Sequence, residues 1–136
     1  MEKLIIHTDG GARGNPGPAG IGVVIKQPDG MIIGQHYRYI GEATNNIAEY
    51  KALILALTEA IKFSSERLEI NMDSELVVRQ MNGQYKIKDP NLKKLAGEAI
   101  KLAKNFKSVN YHHVRREFNK DADKLVNLAI DEAQQS

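Results

Sequence analysis

The sequence predicts an α/β layered domain: a mixed sheet, three antiparallel strands followed by parallel ones, with helices packed on both faces. Two observations carry the expectation. Apolar residues recur at strand spacing in some runs and at helical spacing in others, and the runs follow in the order β-β-β-α-β-α-α-β-α. Size supplies the third: 136 residues bury one core but not two that each fold alone, so a single domain over residues 1–136 is expected.

The first strand is read at Glu2 to Thr8, a β-branched and apolar run ending at Asp9-Gly10-Gly11. Ala12 to Pro18 has turn chemistry throughout. Gly20 to Lys26 and Met31 to Ile40 follow as a hairpin around Pro28-Asp29-Gly30. From Asn46 to Lys62 the apolar positions Ile47, Tyr50, Leu53, Ile54, Leu57 and Ile61 keep helical spacing, and Asn46 with Glu49 resembles a capping box. Leu68 to Met72 alternates as a fourth strand and runs through Asp73 into a short helix, Ser74 to Asn82, closed by Gly83. Past Asp89-Pro90, Leu92, Leu95, Ala99, Leu102 and Phe106 form an apolar stripe, with Lys94, Lys101 and Lys104 on another side. Ser108 to Val114 alternates as the fifth strand. Asn119 is read as the cap of a last helix that buries Ala122, Leu125, Val126 and Ala129.

Composition narrows the function classes. Hydrophobic residues at 42% and charged residues at 26% are ordinary globular values, so a packed enzyme or binding module is expected. The chain has no cysteine, which rules out thiolate nucleophiles and cysteine-held zinc or iron–sulfur sites and fits a reducing cytoplasm. Any metal must be held by oxygen or histidine. The apolar N-terminal run lacks a signal-peptide pattern and no apolar run reaches membrane-spanning length, so a cytoplasmic protein without membrane or obligate protein partners is expected. The net charge is only +2, but from Gln84 to Arg116 nine Lys or Arg face two acids, Asp89 and Glu98. That stretch is either a solvated helix face or a phosphate-binding surface.

Four acids carry the chemistry. Singly each has a local explanation: Asp9 a strand-to-turn junction, Asp73 a helix start beside Ser74, Glu49 and Asp123 complements to helix dipoles. Were the first and fourth strands adjacent and parallel, Asp9 and Asp73 would project from neighbouring strand ends, with Glu49 and Asp123 near the same edge. Carboxylates that close raise one another's pKa and need cations to stay ionised. With oxygen donors alone, Mg²⁺ or Mn²⁺ fits.

The segments Thr8-Asp9-Gly10-Gly11-Ala12-Arg13-Gly14-Asn15-Pro16-Gly17, Thr44-Asn45-Asn46-Ile47-Ala48-Glu49-Tyr50-Lys51-Ala52-Leu53, Met72-Asp73-Ser74-Glu75-Leu76-Val77-Val78 and Asn119-Lys120-Asp121-Ala122-Asp123-Lys124-Leu125-Val126-Asn127 resemble, in order, the four signature blocks of ribonuclease H type 1. The resemblance nearly spans the chain and implies a ribonuclease H-like fold. It also implies an endonuclease that cuts the RNA strand of RNA/DNA hybrids with two divalent ions once substrate is bound. On this reading Asp9 bridges the ions, Asp73 and Asp123 flank them, and Glu49 is both a ligand and the contact to a ribose 2′-hydroxyl. Asn15, Asn45 and Asn46 would read the minor groove and 2′-hydroxyls, since asparagine both donates and accepts. Gly10, Gly11, Arg13, Thr44 and Ser74, in the same blocks, are expected at the substrate surface.

Departures from the family pattern are also legible. Well-known bacterial members carry a histidine after the fifth strand; here the stretch is Val114-Arg115-Arg116-Glu117-Phe118, as in a shorter subgroup where an arginine takes that place, here assigned to Arg116. Arginine can bind phosphate but cannot act as a base at neutral pH. His7, His36, His112 and His113 are expected to be structural. The passage Gly83 to Asn91 is too short for the family's extra helix and basic protrusion, so Lys86, Lys88 and the basic helix side are expected to grip substrate, with no N-terminal hybrid-binding module of the kind some relatives carry expected. Double-stranded RNA, similar to the hybrid in A-form shape, is a further expected substrate. Rival readings are a catalytically silent hybrid- or RNA-binding module, disfavoured by four retained acids, and a resolvase or transposase domain on the same core, disfavoured by the Asn45-Asn46 pair.

Overall fold

A computed structural model describes residues 2–63 and 66–135. Strands β1 (Lys3–Ala12), β2 (Gly17–Lys26) and β3 (Ile32–Ala43) come first. Helix α1 (Asn45–Ala60) and a 3₁₀ turn lead to β4 (Arg67–Met72), α2 (Glu75–Met81), α3 (Pro90–Ala103), β5 (Ser108–His113), a second 3₁₀ turn (Arg116–Phe118) and α4 (Lys120–Gln135). Among the described residues the strands form one sheet ordered β3-β2-β1-β4-β5. β1 pairs antiparallel with β2 and parallel with β4, and β4 pairs parallel with β5, the mixed sheet the sequence predicts.

Strand alternation sorts the side chains onto two faces. On one, Leu4, Ile6, Ile21, Val23, Leu68 and Ile70 pack with Tyr50, Leu53 and Leu57 of α1 and Ala96 and Ala99 of α3 in the main core. On the other, α4 lies over β2 and buries Ala122, Leu125, Val126, Ala129 and Ile130, which adds Ile130 to the predicted stripe.

Four local expectations are corrected. β1 does not end at Thr8 but runs to Ala12, because Asp9 to Ala12 stay paired with Gly22 to Ala19 of β2. Gly10-Gly11 reads locally as a turn, yet a neighbouring strand holds that backbone extended. The cap of α1 is Thr44, whose hydroxyl accepts from the Ile47 N–H at 3.3 Å, so Glu49 is not the partner of an Asn46 capping box. Asn119 precedes α4, but its side chain bonds β1 instead of its own helix. Phe106 is buried but lies past the end of α3 at Ala103.

Candidate active site

The last residue of β1 paired with β4 is Thr8, opposite Met72. Asp9 and Asp73 each come one residue later, so parallel pairing sets both carboxylates at the same level of the sheet. α1 supplies the third. It presses on β1 at Gly10, where a Cβ would overlap the backbone of Ala48 and Glu49. That closeness seats Glu49 beside Asp9, and the Gly10 N–H donates to Glu49 Oε1 at 3.3 Å. One carboxylate oxygen each of Asp9, Glu49 and Asp73 lies within 4.8 Å of the others.

Asp123 arrives from the opposite face. Gly22 pairs with Asp9 across β1 and β2, and a Cβ there would stand 2.5 Å from the Ala122 carbonyl oxygen and 2.8 Å from Leu125 Cβ. Only glycine lets the first turns of α4 settle on that spot. Asp123 consequently lines the cleft and raises the proton affinity of Asp9, while standing outside the tight trio.

Burial and mutual repulsion dominate the electrostatics. Asp9 and Glu49 are each 6% exposed. The Asp9 carboxyl is pushed from its ordinary 3.8 up to about 8, first by burial, then by Asp73, with Asp123 adding to it. Glu49 is raised well above the usual range by burial and then by Asp9 and Asp73. Glu49 Oε2 is buried without a hydrogen-bond partner. An orphaned carboxylate oxygen among carboxylates is satisfied by a cation, and an all-oxygen donor set suits Mg²⁺ or Mn²⁺. The residues therefore fit the divalent metal that the family resemblance implies.

The cleft, of about 380 Å³, also takes in the predicted Gly10, Gly11, Arg13, Asn45, Asn46, Ser74 and Arg116. Arg116 is exposed on its 3₁₀ turn, whereas Arg115 pairs with Glu117 at 3.6 Å. Arg13 is held by α4 through Asp131 at 2.7 Å and Asn127 at 3.2 Å. Four predicted contacts do not line the cleft. Thr44 caps α1. Asn15 Oδ1 accepts the Asn45 N–H, and Asn45 Oδ1 accepts the Ala12 N–H, both at 2.9 Å. The acceptor ends of these asparagines thus tie the loop to α1. Lys86 and Lys88 are exposed on the segment between α2 and α3, away from the cleft walls. Among the described residues no histidine lines the cleft: His7 bonds Asn119, His36 faces Glu59, and His112 bonds Glu69 at 2.6 Å. α4 adds a wall that the motif blocks do not single out, Val126, Asn127 and Ile130; the helical spacing of 126 and 130 is the sequence signal for it.

A family profile described as Reverse transcriptase-like matches residues 7–129. The chain is 34% identical over 145 residues to a protein named ribonuclease H from Ruthia magnifica subsp. Calyptogena magnifica, with 96% of this chain and 97% of that protein covered. It is 47% identical over 135 residues to a bifunctional protein of Mycobacterium tuberculosis, covering 98% of this chain. The chain spans only 37% of that relative's length. Among solved structures, LC11-RNase H1 in complex with an RNA/DNA hybrid superposes with a TM-score of 0.93 at 48% identity, covering 96% of this chain and 99% of the other.

Proposed function

The chain belongs to the ribonuclease H family, and from that membership we propose that it is a metal-dependent endonuclease hydrolysing the RNA strand of RNA/DNA hybrids. The observation that carries the reading is the trio Asp9, Glu49 and Asp73, one oxygen of each within 4.8 Å of the others, in a cleft also lined by amide and guanidinium donors. The related LC11-RNase H1 was solved on such a hybrid.

Asp9, Glu49, Asp73 and Asp123 would hold the metal, with two ions in place once substrate binds. Bound there, divalent ions would activate the attacking water and offset charge on the leaving 3′-oxygen as the P–O3′ bond breaks. The chain's own groups position the strand. The amides of Asn45 and Asn46 stand beside the carboxylates, where they donate to minor-groove edges and ribose hydroxyls, the feature that separates RNA from DNA. Glu49 accepts from a 2′-hydroxyl. Arg116, exposed at the cleft edge, binds backbone phosphate through its guanidinium. Asn15 and Thr44 act one step back, by fixing the loop and the start of α1. Double-stranded RNA is a second substrate in this proposal because it shares the A-form groove. A cytoplasmic site of action belongs to the same proposal and is motivated by the cysteine-free chain.

The test is cleavage of end-labelled hybrid, double-stranded RNA and duplex DNA with Mg²⁺, Mn²⁺ or chelator. Metal-dependent cutting of the hybrid's RNA strand, none of duplex DNA and none by Asp9→Asn is expected. A hybrid left intact by the wild-type chain with either metal overturns the assignment in favour of a silent binding module.

A further inference from the structure

We propose that Asn119 is a positioning residue that sets the separation of Asp123 from Asp9, and through it the affinity of the carboxylate cluster for divalent cations; this rests on reading that cluster as a metal centre. Asn119 immediately precedes α4 and is 1% exposed. An asparagine at this place ordinarily turns its side-chain oxygen back onto the first N–H groups of its own helix. This one points into the sheet. Its Nδ2 donates to the Thr8 carbonyl at 2.9 Å, and its Oδ1 faces His7 Nδ1 at 3.1 Å as the acceptor. Its main-chain carbonyl accepts the Asp123 N–H at 3.1 Å, the first turn of the helix.

One residue therefore joins the peptide just before Asp9 to the backbone of Asp123. The carboxamide has a single workable orientation, because reversing it would set its oxygen against the Thr8 carbonyl, acceptor to acceptor. The middle and far end of α4 are tied to the sheet side by Arg13 on Asp131 at 2.7 Å and by Tyr37 on Glu132 at 2.9 Å, while its first turn packs closely over Gly22 and has Lys26 near Asp121 at 3.8 Å. The Asn119 bonds add a direct link from that first turn to the peptide next to Asp9. Asp123 stands outside the trio, where a small slide changes its reach toward a shared ion. Groups that orient metal ligands typically alter affinity or activity by about tenfold to a hundredfold when removed.

The experiment measures Mg²⁺ and Mn²⁺ binding by isothermal titration to wild type, Asn119→Ala, Asn119→Asp and Glu59→Gln. All are read at a temperature where circular dichroism shows each folded, alongside the metal dependence of hybrid cleavage. Glu59→Gln is the control for lost stability alone, since Glu59 is a buried acid of α1 held by Lys62 at 2.7 Å, apart from the cleft. Asn119→Ala is expected to raise the metal dissociation constant about tenfold or more, and the metal concentration for half-maximal cleavage by the same factor. KM for hybrid should stay within about twofold, and Glu59→Gln should bind metal like wild type. Asn119→Asp keeps an acceptor for His7 but loses the donor to Thr8, so it should match Asn119→Ala, and it is the variant read if alanine prevents folding. A folded Asn119 variant with wild-type metal affinity overturns the clamp while leaving the nuclease reading standing. A wild-type chain that neither binds divalent ions nor cuts hybrid brings down both.

Discussion

Replacing Asp9 with asparagine keeps the side chain's shape while deleting the charge that burial and the neighbouring Asp73 and Asp123 oppose. In the metal-free protein the Asp9 carboxyl titrates at about 8, against 3.8 ordinarily, so folding favours its protonated form. At ~1.4 kcal/mol per tenfold, that gap corresponds to on the order of 5 kcal/mol, and relaxation of the site brings the expected effect to roughly 2–5 kcal/mol. Its sign follows from proton linkage: between 3.8 and about 8 the folded state binds more protons than the unfolded one, so stability is full below that window, falls as pH rises through it, and is constant above it. Glu49, raised for the same reasons, deepens the fall. Urea unfolding with chelator at about pH 5 and about pH 9 should show wild type losing stability and Asp9→Asn losing much less. Asparagine should thus be the more stable form at the higher pH. Added Mg²⁺, at about 10 mM, should restore wild type far more than the variant, because on the proposed reading the variant has lost one of the carboxylates that would hold the metal. Parallel pH curves for the two proteins, or a wild type that gains stability across the window, would refute the electrostatic account.

Other predictions test separate contacts. Gly10→Ala forces a Cβ into the backbone of Ala48 and Glu49, so thermal unfolding should register a loss of about 3 kcal/mol with cleavage falling alongside. Asp73→Asn should lower kcat by about a thousandfold or more and Asp123→Asn by only about ten- to a hundredfold in single-turnover assays, since Asp123 stands outside the trio. Arg116→Ala should weaken hybrid binding and reduce the salt slope of log K by about one, read by fluorescence anisotropy across salt concentrations. Asn46→Ala should erode the preference for hybrid over duplex DNA, while Asn45→Ala should also destabilise the loop that its oxygen holds at Ala12.

Read alone, the sequence determined the order of elements, the mixed sheet, the buried stripe of α4 and which four acids share one cleft, because periodicity and turn chemistry are local and four motif blocks stand in register. It could not decide which local role each residue plays. Asn46 followed by Glu49 satisfies the local rule for a helix start, yet β3 runs on to Ala43 and leaves Thr44 as the cap. Gly10-Gly11 satisfies the rule for a turn, yet β2 pairs with it and α1 needs the missing Cβ. Asn119 satisfies the rule for a cap, yet its carboxamide finds better-placed partners on β1. Only the tertiary structure settled these cases, because a buried polar group or a glycine takes its meaning from the backbone packed against it, and in each case that backbone is distant in the chain.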